Sequence, residues 1–156
     1  MYGIKNIKIS NMNIKIRQYR DTDLEEVMAA WESASKVAHP FMNKDFFEQE
    51  RHNIPSLYLP NADTWVVIDE NKVVGFIALI GNEIGGLFVD VNCHRKGFGR
   101  ALMNKAEQIH GDLQVKVFKQ NIIGRKFYQS YGFAFDSELT WPATGDIIYK
   151  LNYLTQ

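Results

Sequence analysis

The sequence predicts one domain of the mixed α/β class. About seven strands and about four helices follow in the order β-α-α-β-β-β-α-β-α-β-β, so that helices pack on a mixed sheet with much α+β-like antiparallel pairing. Three observations lead there. Between Asp63 and Val91, three apolar runs are separated only by Asp69-Glu70-Asn71-Lys72 and Gly81-Asn82, turn residues of the kind that join antiparallel strands. On both sides of this meander, segments with apolar residues at helical spacing alternate with strand-like runs. The chain has 156 residues, 46% hydrophobic and 23% charged, which is enough for one substantial core and too apolar for disorder.

The elements follow from local pattern. Residues 1–11 alternate weakly and read as an N-terminal extension, with the single domain at 12–156 beginning at the second methionine, Met12. Asn13 to Tyr19 alternates Ile14 and Ile16 with polar residues, as a half-buried strand does. Asp21-Thr22-Asp23 starts a helix that carries Leu24, Val27, Met28, Trp31 and Ala34 on one face and stops before His39-Pro40. A second helical piece spans Asn43 to His52, and Ile54 to Asn61, with two prolines, reads as a connection. The meander strands are Asp63–Ile68, Val73–Ile80 and Glu83–Val91, the last holding a Gly85-Gly86 pair that signals a bulge or a close backbone neighbour. A helix beginning at Phe98 buries Phe98, Leu102, Ala106 and Ile109. Leu113–Phe118 is a strand. Asn121 caps a helix that ends at Gly132, and Phe133–Leu139 and Asp146–Leu151 close the chain as strands.

Composition narrows the function. Eighteen Lys plus Arg balance eighteen Asp plus Glu, which argues against nucleic acid or an anionic membrane as the main partner. Cys93 stands alone, so no internal disulfide forms and a reducing cytoplasm suits the chain. No apolar run approaches the ~20 residues of a membrane span, and the N-terminus lacks signal-peptide features. The expectation is a soluble, cytoplasmic protein.

The chemistry concentrates in Leu87 to Ile109. An apolar strand runs through the polar turn Asn92-Cys93-His94-Arg95-Lys96 and restarts as a helix at Gly97-Phe98-Gly99. Such a strand–turn–helix aims several backbone N–H groups and the positive end of a helix at one place, and glycines let a ligand approach the main chain. This is the chemistry of a phosphate or diphosphate cradle. It is not a dinucleotide fingerprint, because Leu102 holds the third glycine position and Gly97 lies well past the strand end, and no Gly-Lys-Ser/Thr follows for a nucleotide-triphosphate loop. The hairpin-rich middle speaks against a Rossmann-type domain. A second motif, Asn121-x-x-Gly124-x-x-Phe127-Tyr128-x-x-x-Gly132-Phe133, lies one short strand further on.

Together the two motifs resemble the GCN5-related N-acetyltransferase (GNAT) superfamily, over roughly residues 13–151. His39-Pro40-Phe41 also looks like small bacterial members of the YiaC/YjaB kind. Three departures are visible. His94 stands where the family usually has Arg or Gln, Val91 where a proline often follows the strand, and Gly124 where alanine is usual.

The resemblance implies a sheet splayed between the fourth and fifth strands and a co-substrate, acetyl-CoA, lying in the gap, with no metal. It implies that the pantetheine arm pairs with the backbone near Phe88 and Val89. The diphosphate then rests on His94, Arg95, Lys96, Gly97, Phe98, Gly99 and Arg100, and Asn121 contacts the arm. The implied reaction is direct attack of a primary amine on the thioester, with Tyr128 in the general-acid position. Glu83 through water, or His39, would serve as base. Trp31, Phe41 and Trp141 are available for the acceptor, a small-molecule amine or a protein N-terminus or lysine. Each of these side chains also has an ordinary explanation: Tyr128 and the aromatics as core, Glu83 as a solvated hairpin residue, His39 as a satisfied loop residue, Cys93 as incidental. The expected assembly is a monomer or a small oligomer such as a homodimer. The alternative function is a non-catalytic acyl-CoA-binding sensor module.

Overall fold

The computed structural model describes residues 14–156. The extension expected at 1–11 and the domain start at Met12 lie outside the described residues. Seven strands, β1 Lys15–Gln18, β2 Asp63–Asp69, β3 Lys72–Ile80, β4 Glu83–Val89, β5 Leu113–Phe118, β6 Ala134–Thr140 and β7 Ile147–Tyr153, form one sheet in the order β1-β2-β3-β4-β5-β7-β6. Four helices, α1 Leu24–Ala38, α2 Lys44–Asn53, α3 Phe98–His110 and α4 Ile122–Tyr131, cover it. The mixed α/β expectation holds: every pairing is antiparallel except β4 with β5.

Alternation along the strands sorts the core onto the two sheet faces. Val66 and Phe76 meet Val27 and Trp31 of α1, with Ile54 and Leu59. Val67 and Ile77 meet Phe98, Leu102, Met103 and Ala106 of α3 on the other side, where Tyr128 and Phe133 also pack. The double glycine does what it signals: Ala78 pairs with Gly86 and Leu79 with Ile84, so Gly85 is left over as a bulge.

Three details differ from expectation. The fourth strand ends at Val89 rather than Val91, because the Asp90 carboxylate accepts the Asn92 N–H at 2.9 Å and turns Val91–Cys93 into a short 3-10 turn. Ile54–Asn61 is not an irregular connection but two consecutive helical turns, since Pro55 and Pro60 sit at starting positions where a proline lacks no needed hydrogen bond. On α3 it is Met103, fully buried, and not Ile109, 40% exposed, that completes the inner face. The last hairpin folds back, so that β7 lies between β5 and β6.

Candidate active site

The sheet parts where the resemblance implied. β4 and β5 are in register only at Glu83 with Gln114 and Ile84 with Val115. Asn82 clamps that end, its carbonyl accepting the Gln114 N–H at 3.0 Å and its Oδ1 accepting Gln114 Nε2 at 2.9 Å. Beyond Val115, β5 stays paired with β7 to Phe118 and β4 stays paired with β3 to Val89. The facing edges of β4 and β5 therefore diverge, leaving main-chain groups of β4 open toward the gap.

Past the end of β4, the chain builds a ring of donors. Arg95 and Gly97 take positive φ, 65° and 86°, conformations that glycine adopts freely and arginine seldom does. The first N–H of the following helix to find an acceptor is that of Ala101, on Gly97 O at 3.0 Å; those of Arg95 to Arg100 have no acceptor among the described residues. Six consecutive donors at the positive end of a thirteen-residue helix, beside the basic side chains of Arg95 and Arg100, suit a diphosphate. Gly99 keeps this turn close to its neighbour: a Cβ would meet the Phe127 ring at 3.3 Å, which would have to give way slightly.

Two cavities open onto the gap and share Leu87, Phe88, Asn121 and Tyr128. One, of about 440 Å³, is lined by Val89, His94, Arg95, Gly97, Phe98, Gly99 and Arg100. The other, of about 340 Å³, is lined by Trp31, His39, Glu83 and Trp141 together with Phe46, Phe47, Glu50 and Phe118. The sequence-derived residues thus gather around one gap, with four adjustments. Phe41 does not line the acceptor-side cavity; it stands behind it, its ring 5.8 Å from His39 and 5.6 Å from Phe118. Lys96 lies outside both linings, and Phe98, 7% exposed, gives its side chain to the core. His94 turns its ring inward, Nε2 lying 2.7 Å from the Val89 carbonyl, so it braces the strand end rather than reaching outward as an arginine would.

Asn121 connects the cavities. Its Oδ1 caps α4 by accepting the Gly124 N–H at 2.9 Å, which fixes its Nδ2 toward His39 Nε2 at 3.3 Å. His39 Nε2 is then an acceptor and the ring is neutral. Burial pushes its pKa down to about 4, in keeping with that state. Tyr128 is buried, and burial pushes its phenol well above the ordinary value, so it keeps its proton. Glu83 is held at 3.6 Å by Lys116 Nζ from β5. Phe46, Phe47 and Glu50 were not foreseen. Their spacing on α2 was readable, but nothing in the sequence said which face of that short, mostly polar helix looks inward. Among the described residues, no group of three or more His, Cys, Asp or Glu could hold a metal ion, and no helix is long and apolar enough to cross a membrane.

Comparison with known proteins agrees with this geometry. A family model described as acetyltransferase (GNAT) domain matches residues 60–134. The peptidyl-lysine N-acetyltransferase YjaB of Escherichia coli (strain K12) is 32% identical over 123 residues, 78% of this chain and 83% of that protein. The peptidyl-lysine N-acetyltransferase YiaC of the same organism is 29% identical over 119 residues, 76% and 82% of the two chains. The solution structure of apo-form YjaB from Escherichia coli superposes with a TM-score of 0.82 at 27% identity, covering 92% of this chain and 99% of that one. The PaiA N-acetyltransferase of Thermoplasma acidophilum, solved in complex with coenzyme A, shares the fold with a TM-score of 0.73 at 20% identity, covering 93% and 100%.

Proposed function

The chain belongs to the GNAT family of N-acetyltransferases, and from that premise we propose that it passes the acetyl group of acetyl-CoA directly to the ε-amine of a lysine in a peptide or protein. The observation that carries this reading is the parting of β4 from β5 after Ile84–Val115, with the unpaired N–H groups of Arg95 to Arg100 at one end of the gap and Tyr128 beside it. Bound acetyl-CoA supplies an activated thioester. The N-terminal turn of α3 holds the diphosphate, and the free edge of β4 near Phe88 and Val89 hydrogen-bonds the pantetheine arm as an added strand would. A β4 N–H near Val89 polarises the thioester carbonyl.

The two proton movements fall to different walls. Tyr128 donates toward the departing sulfur; its raised pKa keeps it protonated throughout the working range. A lysine ammonium, with a pKa of about 10.4, must lose a proton before attack. Of the two expected bases, Glu83 is better suited. The Nε2 lone pair of His39 already accepts from Asn121 Nδ2, so it is not free to take a proton. Acting through water, Glu83 would receive the proton while Lys116 steadies its charge.

The test is calorimetry with acetyl-CoA followed by thiol-release assays on lysine peptides. Binding well below millimolar and turnover of some peptide are expected. Tyr128→Phe should lower kcat about 100-fold while leaving acetyl-CoA affinity within about threefold. Because the phenol stays protonated, the wild-type rate should show no loss from this group between pH 7 and about pH 10. Tight binding of acetyl-CoA without turnover of any amine would instead favour the sensor reading.

A further inference from the structure

The acceptor-side cavity has one wall built by α2, where Phe46, Phe47 and Glu50 lie three and four residues apart and so share a face. We propose that Glu50 is the specificity residue of this enzyme: its carboxylate holds the ammonium of an incoming lysine side chain against the Trp31–Phe47 wall, which makes the acceptor a cationic side chain rather than an uncharged amine. The inference specifies the substrate of the transferase reading above and rests on it.

The charges around the cavity single out Glu50. Glu83, across the cavity, already has Lys116 at 3.6 Å. His39 is held neutral by burial and contributes no positive charge. Arg51, the neighbour of Glu50 on α2, is already engaged: it forms a two-pronged pair with Glu32 at 3.0 and 3.1 Å, approaches Glu48 at 3.5 Å and lies over the Trp31 ring at 5.6 Å. Glu50 accepts the Tyr58 hydroxyl on one oxygen at 3.0 Å and has no cationic partner among the described residues. Burial raises its pKa from the ordinary carboxylate value, against the effect of the Tyr58 bond, so its charged form lacks full solvation. A cation entering the cavity relieves that cost, and the Phe47 ring, 6.2 Å from that of Trp31 on the same wall, favours the same charge. The Ser35 hydroxyl and the Trp141 indole N–H, on the same cavity lining, have no hydrogen-bond partner among the described residues and could also receive polar groups of a peptide.

The measurement is binding to the protein saturated with coenzyme A, by calorimetry at pH 7, of a lysine peptide and the same peptide with norleucine in place of lysine, which keeps the carbon chain and removes the charge. The wild type should prefer lysine by about tenfold, the scale of one partly desolvated charge pair. Glu50→Gln should abolish the preference by weakening lysine alone. Tyr58→Phe, which keeps the carboxylate and removes its internal donor, should preserve it. In turnover, Glu50→Gln should raise KM for the lysine peptide about tenfold with kcat within about twofold. Equal weakening of both peptides by Glu50→Gln, a preference that survives the substitution, or a wild type blind to the charge each overturns the proposal. A wild type that prefers lysine yet releases no thiol from acetyl-CoA leaves Glu50 in this role and removes the transferase reading. Turnover without charge preference does the opposite.

Discussion

At Gly124 a Cβ would lie 2.5 Å from Asn121 Nδ2 and 3.0 Å from its Cγ, so the Asn121 side chain would have to shift. That side chain folds over the glycine, where this family usually carries alanine, to cap α4 and reach His39. Gly124→Ala should therefore push it off its capping position. Loss of the cap costs about 1 kcal/mol, and the better helix propensity of alanine returns about the same, so Tm should stay within about 3 °C of wild type. His39 loses its donor all the same. In 15N spectra its Nε2 resonance should move toward that of an acceptor nitrogen free of a hydrogen bond, and Asn121→Ala should produce the same shift. An unchanged Nε2 signal in Gly124→Ala would mean that the Asn121–His39 contact is not formed in solution. The motif from Asn121 to Phe133 announced this helix and its cap in the sequence. That the cap also reaches a histidine 82 residues earlier in the chain could not be read there, because side-chain meetings across elements leave no local pattern.

Between elements, a two-pronged polar tie joins β1 to the start of α1. Arg17 donates twice to Asp23, both at 2.8 Å, and the same carboxylate accepts the Arg20 N–H at 2.8 Å, with the Asp23 side chain only 7% exposed. The Arg17 hydrogen bonds hold the Asp23 carboxyl below the usual carboxylate range, against the opposing effect of burial. The contribution to stability is thus fully present above the unfolded-state value of about 3.9 and fades as pH falls through the lower folded-state value. Asp23→Asn should destabilise the protein by about 2 kcal/mol at pH 7, and the difference should shrink as denaturation is followed below about pH 4. A gap that stays constant with pH would show that the pair carries little. The sequence marked Asp21-Thr22-Asp23 as a helix start, but the partner in β1 was invisible to it. Legibility at this scale followed the range of the interaction. The Gly85 bulge, the hairpin turn at Glu70-Asn71 and the Gly132 helix end were readable because each is set by residues within a few positions. The insertion of β7 between β5 and β6, which lets the gap open on one side of β5 only, depends on pairings far apart in sequence.

Over the whole molecule, the splay leaves part of the sheet without neighbours, and bound coenzyme A would supply them: main-chain partners along β4 and an anion for the N–H groups of Arg95 to Arg100. A ligand that binds only the folded state stabilises it by about 2.7 kcal/mol at one hundred times its dissociation constant. For a chain of 156 residues this corresponds to a rise in Tm of about 5–10 °C. The two contributions separate by choice of ligand. Pantetheine can pair with β4 but brings no diphosphate, so at the same concentration it should raise Tm by less than about 2 °C. The shift with coenzyme A should also fall as salt rises, because the cradle is partly exposed and the attraction is screened. The sum of Lys and Arg equals that of Asp and Glu, so a salt-sensitive gain must come from local placement of charge at Arg95 to Arg100 rather than from attraction by the molecule as a whole. If pantetheine matched coenzyme A, or salt left the shift untouched, the strand edge would be the main anchor and the start of α3 a bystander. The same experiment on Gly99→Ala, where the added methyl must displace the Phe127 ring that packs behind the cradle, should cut the coenzyme A shift by more than half and leave the pantetheine shift as it was.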